Sequence, residues 1–336
     1  MFESYGIPED NKIRRPTEQC QSDLFSMYGL SSGKEENRDT LKDYEDLSLA
    51  ETNSGLSTEN CPDLVDLFSE LDSLVGLKQV KQEIYQLIQF VKIQNLRRKR
   101  GLGATGLSLH SVFYGGPGTG KTTVARIYGK MLKSLGLLAS GHLIETDRSG
   151  LVGNYIGQTA NKTNEKINEA IGGVLFIDEA YSLYKGERAS WDYGSEAIEV
   201  LMKRMEDNRN NIAVIVAGYP EPMEVFLNSN EGFKSRFANF VYFEDYSPLE
   251  LVDIFLSFCH QSNYRLADDV HGVIKLIIEN AHSRKDKSFG NARYCRNLFE
   301  KIIRCQALRV SETSDSPADE QLLTIEVEDV MPFLYQ

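Results

Sequence analysis

Eight consecutive residues, Gly115-Gly116-Pro117-Gly118-Thr119-Gly120-Lys121-Thr122, satisfy the pattern G-x-x-x-x-G-K-[ST] at every position. The glycines let successive backbone N–H groups turn inward on the β- and γ-phosphates of a nucleotide at the start of a helix. Lys121 adds a point charge, the Thr122 hydroxyl can ligate Mg²⁺, and Thr123 continues the same first turn. Binding alone is not turnover, which needs an acid to order the metal and a base to activate water. Gly173-Val174-Leu175-Phe176-Ile177-Asp178-Glu179 offers both, as an apolar run ending in two adjacent carboxylates. Asp178 would hold the Mg²⁺ shell, and Glu179, pointing the other way, would polarise the attacking water. Paired acids after a strand also serve as a helix N-cap. The complete glycine loop upstream makes catalysis the better reading.

These residues must sit on particular elements. Ser111-Val112-Phe113-Tyr114 is a short β-prone run, and Val124, Ala125, Tyr128, Leu132 and Leu135 recur at helical spacing, so the loop joins a strand to a helix. Ile212-Ala213-Val214-Ile215-Val216 predicts another buried strand, fit like the run at 174–177 for the middle of a parallel sheet. From Leu64 to Arg100 the pattern is helical, broken at Val75-Gly76-Leu77. It closes on Arg97-Arg98-Lys99-Arg100 before Gly101. That basic quartet can be read as a nuclear address or a phosphate patch, but cations in a last turn before a C′ glycine complement the helix dipole, and this structural reading is favoured. Tyr155-Ile156-Gly157 lies among Gly150, Gly153 and Gly157 with no strand period, which predicts an exposed loop. Trp191 is the only tryptophan and falls in a second loop of unassigned role.

The 336 residues carry a formal net charge of −12, with 41% hydrophobic and 26% charged side chains, the composition of a globular protein with a sizeable core. Residues 1–66 hold 15 of the acidic and 6 of the basic side chains, leaving 34 and 31 for the rest. The acidity therefore belongs to the first fifth of the chain. Residues 1–62, rich in Ser, Asn, Thr, Glu and Asp without a sustained apolar period, read as a flexible acidic arm. The balance argues against nucleic acid as a partner. No apolar run reaches about 18 residues and no signal-peptide pattern opens the chain, so no membrane role and a cytoplasmic location are expected. The five cysteines are scattered without a C-x-x-C pair, which fits neither a disulfide framework nor a zinc knuckle.

Further runs in the same order give the chain a family likeness. Leu74-Val75-Gly76-Leu77-Lys78-Gln79-Val80-Lys81, the glycine loop, Leu151-Val152-Gly153-Asn154-Tyr155-Ile156-Gly157-Gln158-Thr159, Phe176-Ile177-Asp178-Glu179-Ala180-Tyr181-Ser182-Leu183, Ala217-Gly218-Tyr219, Gly232-Phe233-Lys234-Ser235-Arg236-Phe237 and Gly290-Asn291-Ala292-Arg293 all resemble the AAA+ ATPases. Within them the resemblance is to the CbbX/SpoVK subfamily, which includes red-type Rubisco activases, a sporulation protein and ATPases of type VII secretion. It covers about Leu71 to Val310 and leaves the arm outside.

The resemblance implies a P-loop AAA+ module of α/β class: a parallel five-stranded sheet of order 5-1-4-3-2 flanked by helices over residues 63–246, then a small helical lid and C-terminal tail over 247–336. It assigns Val75 and Gly76 to the adenine side, Arg236 to an arginine finger that reaches a neighbour's ATP, and Arg293 to the lid's nucleotide sensor, with Arg296 one turn on as the alternative. Tyr219 stands where many relatives carry an Asn sensor, and Tyr155, Ile156 and Gly157 match the central pore loop. The expected activity is Mg²⁺-dependent ATP hydrolysis by a homo-oligomeric ring, a hexamer, that remodels an unidentified protein client. A Rubisco activase proper, or a nucleotide-dependent scaffold that does no threading, are the alternatives.

Overall fold

The computed structural model describes residues 62–103, 108–155, 157–186, 193–286, 289–313 and 316–334. The acidic arm up to residue 61, Ile156 of the expected pore loop and Trp191 lie outside the described residues. Two helices come first, α1 (Pro62–Asp72) and α2 (Lys78–Lys99). The second buries Val80, Ile84, Ile88 and Val91, one face at helical spacing. Its last turn carries Arg97, Arg98 and Lys99, and the Leu102 amide donates to the Arg97 carbonyl across left-handed Gly101. The basic quartet thus ends a helix in the way its composition suggests.

The chain then alternates strands and helices: β1 (Ser111–Gly115), α3 (Lys121–Ser134), β2 (Leu143–Thr146), α4 (Arg148–Leu151), α5 (Gln158–Ala170), β3 (Val174–Ile177), α6 (Gly194–Asp207), β4 (Ala213–Gly218), α7 (Pro220–Asn228), α8 (Glu231–Lys234) and β5 (Asn239–Phe243). All pairings are parallel, and the order is β2-β3-β4-β1-β5, the expected 5-1-4-3-2 read from the other edge. The fourth strand begins one residue later than its apolar run and continues through Ala217 and Gly218.

Side-chain alternation divides the core in two. Phe113, Val174, Phe176, Ile215, Val241 and Phe243 face α1, α2 and α3, whereas Val112, Leu175, Ile177, Val214 and Val216 face α5, α6 and α7. Every residue of β3 and β4 is buried, because helices cover both faces of the central strands. The first of these cores continues into the C-terminal helices through Leu251, Phe255, Leu298 and Ile302.

Those helices are α9 (Pro248–Gln261), opened by a Ser247–Glu250 capping box, α10 (Val270–Ser283) and α11 (Ala292–Thr313). A short parallel pair, β6 (Arg265–Leu266) with β7 (Thr324–Ile325), flanks them, the latter between α12 (Asp319–Leu323) and α13 (Val327–Val330). Arg309 grips the fully buried Asp329 with two bonds of 2.9 Å, which ties the end of the chain to α11. No described helix is long and apolar enough to cross a membrane.

His110 precedes β1 and is buried, its Nδ1 accepting the Val214 amide at 3.0 Å. Burial pulls its pKa from 6.5 to about 4, with Arg236 lowering it further and a Met205 carbonyl and Glu206 opposing. Between those pH values the unfolded chain binds the proton and the folded chain does not, so stability is present above pH 6.5 and drains as pH falls toward 4. The shift corresponds to about 3 kcal/mol. His110→Asn, which keeps an acceptor near Nδ1, should flatten the difference in urea-unfolding free energy between pH 7 and pH 5. An unchanged pH slope would overturn this account.

Candidate functional site

The phosphate loop can be understood by following its carbonyl groups. Lys121 Nζ donates to the oxygens of Gly115 (3.0 Å) and Gly116 (2.6 Å), and the Thr119 hydroxyl also donates to Gly116. The Asn291 amide donates to Pro117 (3.2 Å), the Ala292 N–H to Gly118 (3.1 Å), and the Tyr246 hydroxyl to Thr119 (3.3 Å). Five carbonyls in succession are held away from the cleft. The amides of Gly118 through Thr123 bond to nothing among the described residues, and α3 opens at Gly120 with no side-chain cap. Their N–H groups and the positive end of α3 suit a polyphosphate. Positive φ at Gly115, Gly118 and Gly120 makes this run of backbone possible.

The cleft above the loop encloses about 310 Å³ and brings together residues from three strand ends and the C-terminal helices. The loop contributes Gly115 and Pro117 through Thr123; β3 contributes Asp178 and Glu179; β4 contributes Gly218 and Tyr219; and α9 and α11 add Phe258, Ala292, Arg293 and Arg296. Gly116 sits just behind, where a Cβ would meet Asp245. Register explains the convergence, since Ile177 pairs Val216, and Tyr114 pairs Gly218, so the carboxyl ends of β3, β4 and β1 lie side by side.

Glu179 is exposed and held at φ 47°, a left-handed conformation that costs a non-glycine residue energy. Its amide donates to the Asp178 carboxylate at 3.0 Å. Burial draws the Lys121 ammonium below the ordinary lysine range, an effect that Asp178 opposes and Arg293 reinforces. Tyr219 packs beside Tyr181, whose phenol is pushed up to about 12 by burial and then by Glu179. That phenol stays protonated at neutral pH.

Four expected residues, Arg236, Val75, Gly76 and Tyr155, lie elsewhere. Arg236 is off the cleft: Phe233 and Phe237 bury on either side of it, its Nε donates to the Met202 carbonyl at 3.1 Å, and its Nη1 to Gly232. Val75 and Gly76 do not line the cleft. They form the turn before α2, where a Cβ on Gly76 would strike the Glu250 carboxylate, and the following residue, left-handed Leu77, packs behind Gly120. Tyr155 stands 71% exposed on the loop between α4 and α5, away from the cleft. The base of that loop is fixed by the Gly153 amide on Thr159 and by Lys162 on the Ser149 and Val152 carbonyls, and left-handed Gly157 starts α5.

Sequence reasoning did not foresee Phe258, over whose ring the Arg296 guanidinium sits at 5.0 Å, or the buried bonding of Asn291. Asn291 stood inside a matched run, and a polar residue one place before a helix start was the available signal. Among the described residues no group of three or more His, Cys, Asp or Glu could hold a metal by itself. The oxygen donors fit for a hard cation beside phosphates are the Thr122 hydroxyl and the Asp178 carboxylate.

Comparison with known proteins gives the chain its family. The model of the ATPase family associated with various cellular activities (AAA) matches residues 111–245, and that of an AAA lid domain matches 247–334. Stage V sporulation protein K of Bacillus subtilis is 39% identical over 268 residues, 80% of this chain and 82% of that protein. Protein CbbX of Cereibacter sphaeroides is 42% identical over 79% of this chain and 85% of its own length. A chloroplastic ribulose bisphosphate carboxylase/oxygenase activase of Cyanidioschyzon merolae is 42% identical over 79% and 88%. In solved structures, the FIGL-1 AAA domain in complex with ADP superposes with a TM-score of 0.56 at 17% identity, covering 91% of this chain and 92% of that one. A Thermotoga maritima RuvB variant gives 0.53 at 18%, over 79% and 70%. These two likenesses are of fold.

A Cβ at Gly118, at φ 69°, would run into the Gly290 carbonyl and the Arg293 amide. Gly118→Ala should therefore lower the urea-unfolding free energy by about 2 kcal/mol, from left-handed strain plus the retreat of α11. Undiminished stability would show that loop and helix are not in contact.

Proposed function

This chain belongs to the AAA ATPases, in the group of stage V sporulation protein K and CbbX, and is an ATP-hydrolysing enzyme; from that premise we propose that it works as a Mg²⁺-dependent ring, a hexamer, that grips and remodels a client protein through a central pore. The observation that carries the hydrolytic part is the set of unbonded amides from Gly118 to Thr123, facing a wall formed by Asp178 and Glu179.

In this reading the loop amides and Lys121 bind the β- and γ-phosphates, and Thr122 with Asp178 holds the divalent cation. When bound, that cation withdraws charge from the phosphates. Glu179, exposed at the edge of the cleft on a left-handed backbone, orients and deprotonates the attacking water. Tyr219, at the end of β4, offers a hydroxyl to the same water. Arg293 and Arg296 extend the positive wall onto the lid, where Phe258 braces the second of them. Val75 and Gly76 shape the base side indirectly, by fixing Leu77 behind the loop.

Arg236 supports a shared site. Its backbone is fixed by the buried Phe233 and Phe237 and by the Ser108 hydroxyl on its carbonyl at 2.7 Å, yet among the described residues its guanidinium bonds only to backbone oxygens, and it is off its own cleft. An arginine fixed this way suits the cleft of a neighbouring copy. Tyr155 suits a different task. Exposed on a braced loop, an aromatic ring can hold an unfolded chain by apolar contact without reading its sequence. Tyr155 with Ile156 and Gly157 is therefore the proposed grip.

Lys121→Ala should weaken ATP binding by roughly a hundredfold, the loss of one charge-assisted contact set. Glu179→Gln should bind ATP but turn it over about 10²- to 10⁴-fold more slowly. Arg236→Ala should assemble and bind, with hydrolysis down about 10³-fold. Phosphate-release assays on each variant, with assembly followed by sedimentation, check these outcomes, and wild-type turnover by Glu179→Gln sinks the mechanism. In the Glu179→Gln background, ATP should trap a polypeptide in the ring, and adding Tyr155→Ala should reduce the retained amount several-fold. Undiminished retention would favour the scaffold.

A further inference from the structure

Asn291 is fully buried, stands at φ 46° in the left-handed region, and immediately precedes α11. Its side-chain amide joins three parts of the molecule. Nδ2 donates to Asp245 Oδ1 (2.8 Å) in the segment between β5 and α9, to the Pro117 carbonyl (3.2 Å) at the tip of the phosphate loop, and to the Phe289 carbonyl (3.2 Å). Oδ1 accepts the Tyr246 N–H at 3.1 Å. The other oxygen of Asp245 pairs with Lys285, just past the end of α10, at 3.3 Å. This environment prescribes the amide and its orientation. A group with two N–H donors faces three acceptors on one side, and an acceptor faces one N–H on the other. An aspartate would set its charge against a carboxylate and two carbonyls, while leucine would take this donor from the Pro117 and Phe289 carbonyls and this acceptor from the buried Tyr246 N–H.

The backbone nearby repeats the link. Ala292 N–H donates to the Gly118 carbonyl, and Gly118 has no room for a Cβ against Gly290 and Arg293. Residues 117 and 118 are thus bonded to the two residues that immediately precede Arg293. Any shift of the loop tip on binding phosphate acts directly on the start of α11, before a side-chain arginine is involved.

We propose that Asn291 is a positioning residue for ATP: it locks the phosphate-loop tip, the segment at Asp245-Tyr246 and the start of α11 into one unit, so that nucleotide affinity and the placement of Arg293 depend on its amide. This rests on the nucleotide reading of the cleft. Asn291 touches no phosphate itself and acts through Pro117 and through the register of α11.

The test uses the full chain and three variants. Asn291→Gly keeps the left-handed backbone and removes only the side chain. Asn291→Asp keeps the shape and reverses the donor. The double variant Asn291→Asp with Asp245→Asn restores a donor–acceptor pair of opposite sense. KM for ATP and kcat are read from phosphate release, together with the rise in unfolding temperature on adding a non-hydrolysable ATP analogue. Loss of a buried network bond should raise KM about tenfold or more in Asn291→Gly, with kcat changed less and most of the analogue-induced thermal shift lost. The double variant should recover a measurable part of the affinity lost in Asn291→Asp. A merely structural role predicts the opposite division: a lower unfolding temperature and a smaller active fraction, hence lower apparent kcat, with KM within about twofold of the parent. That result, or a double variant no tighter than Asn291→Asp, overturns the proposal. If Asn291→Asp fails to fold, the glycine variant still decides. Lys121→Ala is run beside them. Parent ATP binding that does not depend on Lys121 would defeat the nucleotide reading, whereas Lys121-dependent binding with unaltered Asn291 variants would defeat this inference alone.

Discussion

The fold and site depend on one constraint: a stretch of backbone that presents only its N–H groups to the cleft must send its carbonyls somewhere else. A peptide chain carries both groups at every residue, and an unpaired carbonyl away from water costs about as much as a lost hydrogen bond. From Gly115 to Thr119 the five oxygens are taken up by Lys121, Thr119, Asn291, Ala292 and Tyr246. Two of these donors belong to the loop and its helix, and three come from the last third of the chain. The phosphate loop is therefore not self-sufficient. Its geometry is completed by the start of the helical region, which is why the boundary near residue 246 has so polar an interior.

Strand order does the rest. Placing β1 between β4 and β5, with β3 beyond β4, leaves the carboxyl ends of β1, β4 and β3 adjacent and open to one side. Gly115, Tyr219 and the Asp178–Glu179 pair follow directly from those ends. The sheet that positions them is buried on both faces at β3 and β4, so the acid pair emerges from a close-packed frame. Strain accumulates where that rigid frame meets the cleft. Of the four left-handed non-glycine residues among those described, Leu77 packs behind Gly120, Glu179 lines the cleft and Asn291 holds the loop.

Much of this was legible in the sequence because it is local. The glycine loop, the buried run ending in two acids, the basic end of α2 and the helix after residue 291 are each written within a dozen residues, and each forms where its pattern places it. What the sequence could not supply is which distant groups take up which polar atoms. Nothing local to Val75-Gly76 says that Leu77, and not they, meets the loop through Gly120. The left-handed backbone at Glu179 is imposed by its surroundings, since glutamate has no preference for it. The burial of Asn291 is a consequence of Asp245 and Pro117 arriving from 46 and 174 residues away. Arg296 could be named from helical spacing, but its seat on Phe258 depends on how α9 and α11 pack.

Charge balance carries the argument beyond a single chain. Lys121, Arg293 and Arg296 line the cleft against Asp178 and Glu179, a surplus of one positive charge. A nucleoside triphosphate brings about four negative charges and a divalent cation returns two, so the loaded cleft would be left about one positive charge short. A fixed cation from outside the chain's own cleft would supply the missing charge. Arg236 has the needed character: permanently charged, bonded among the described residues only to neutral backbone oxygens, and set beside buried phenylalanines off its own cleft. On the proposed reading the same arithmetic gives assembly a catalytic meaning, because a second copy would supply the charge that the loaded cleft lacks.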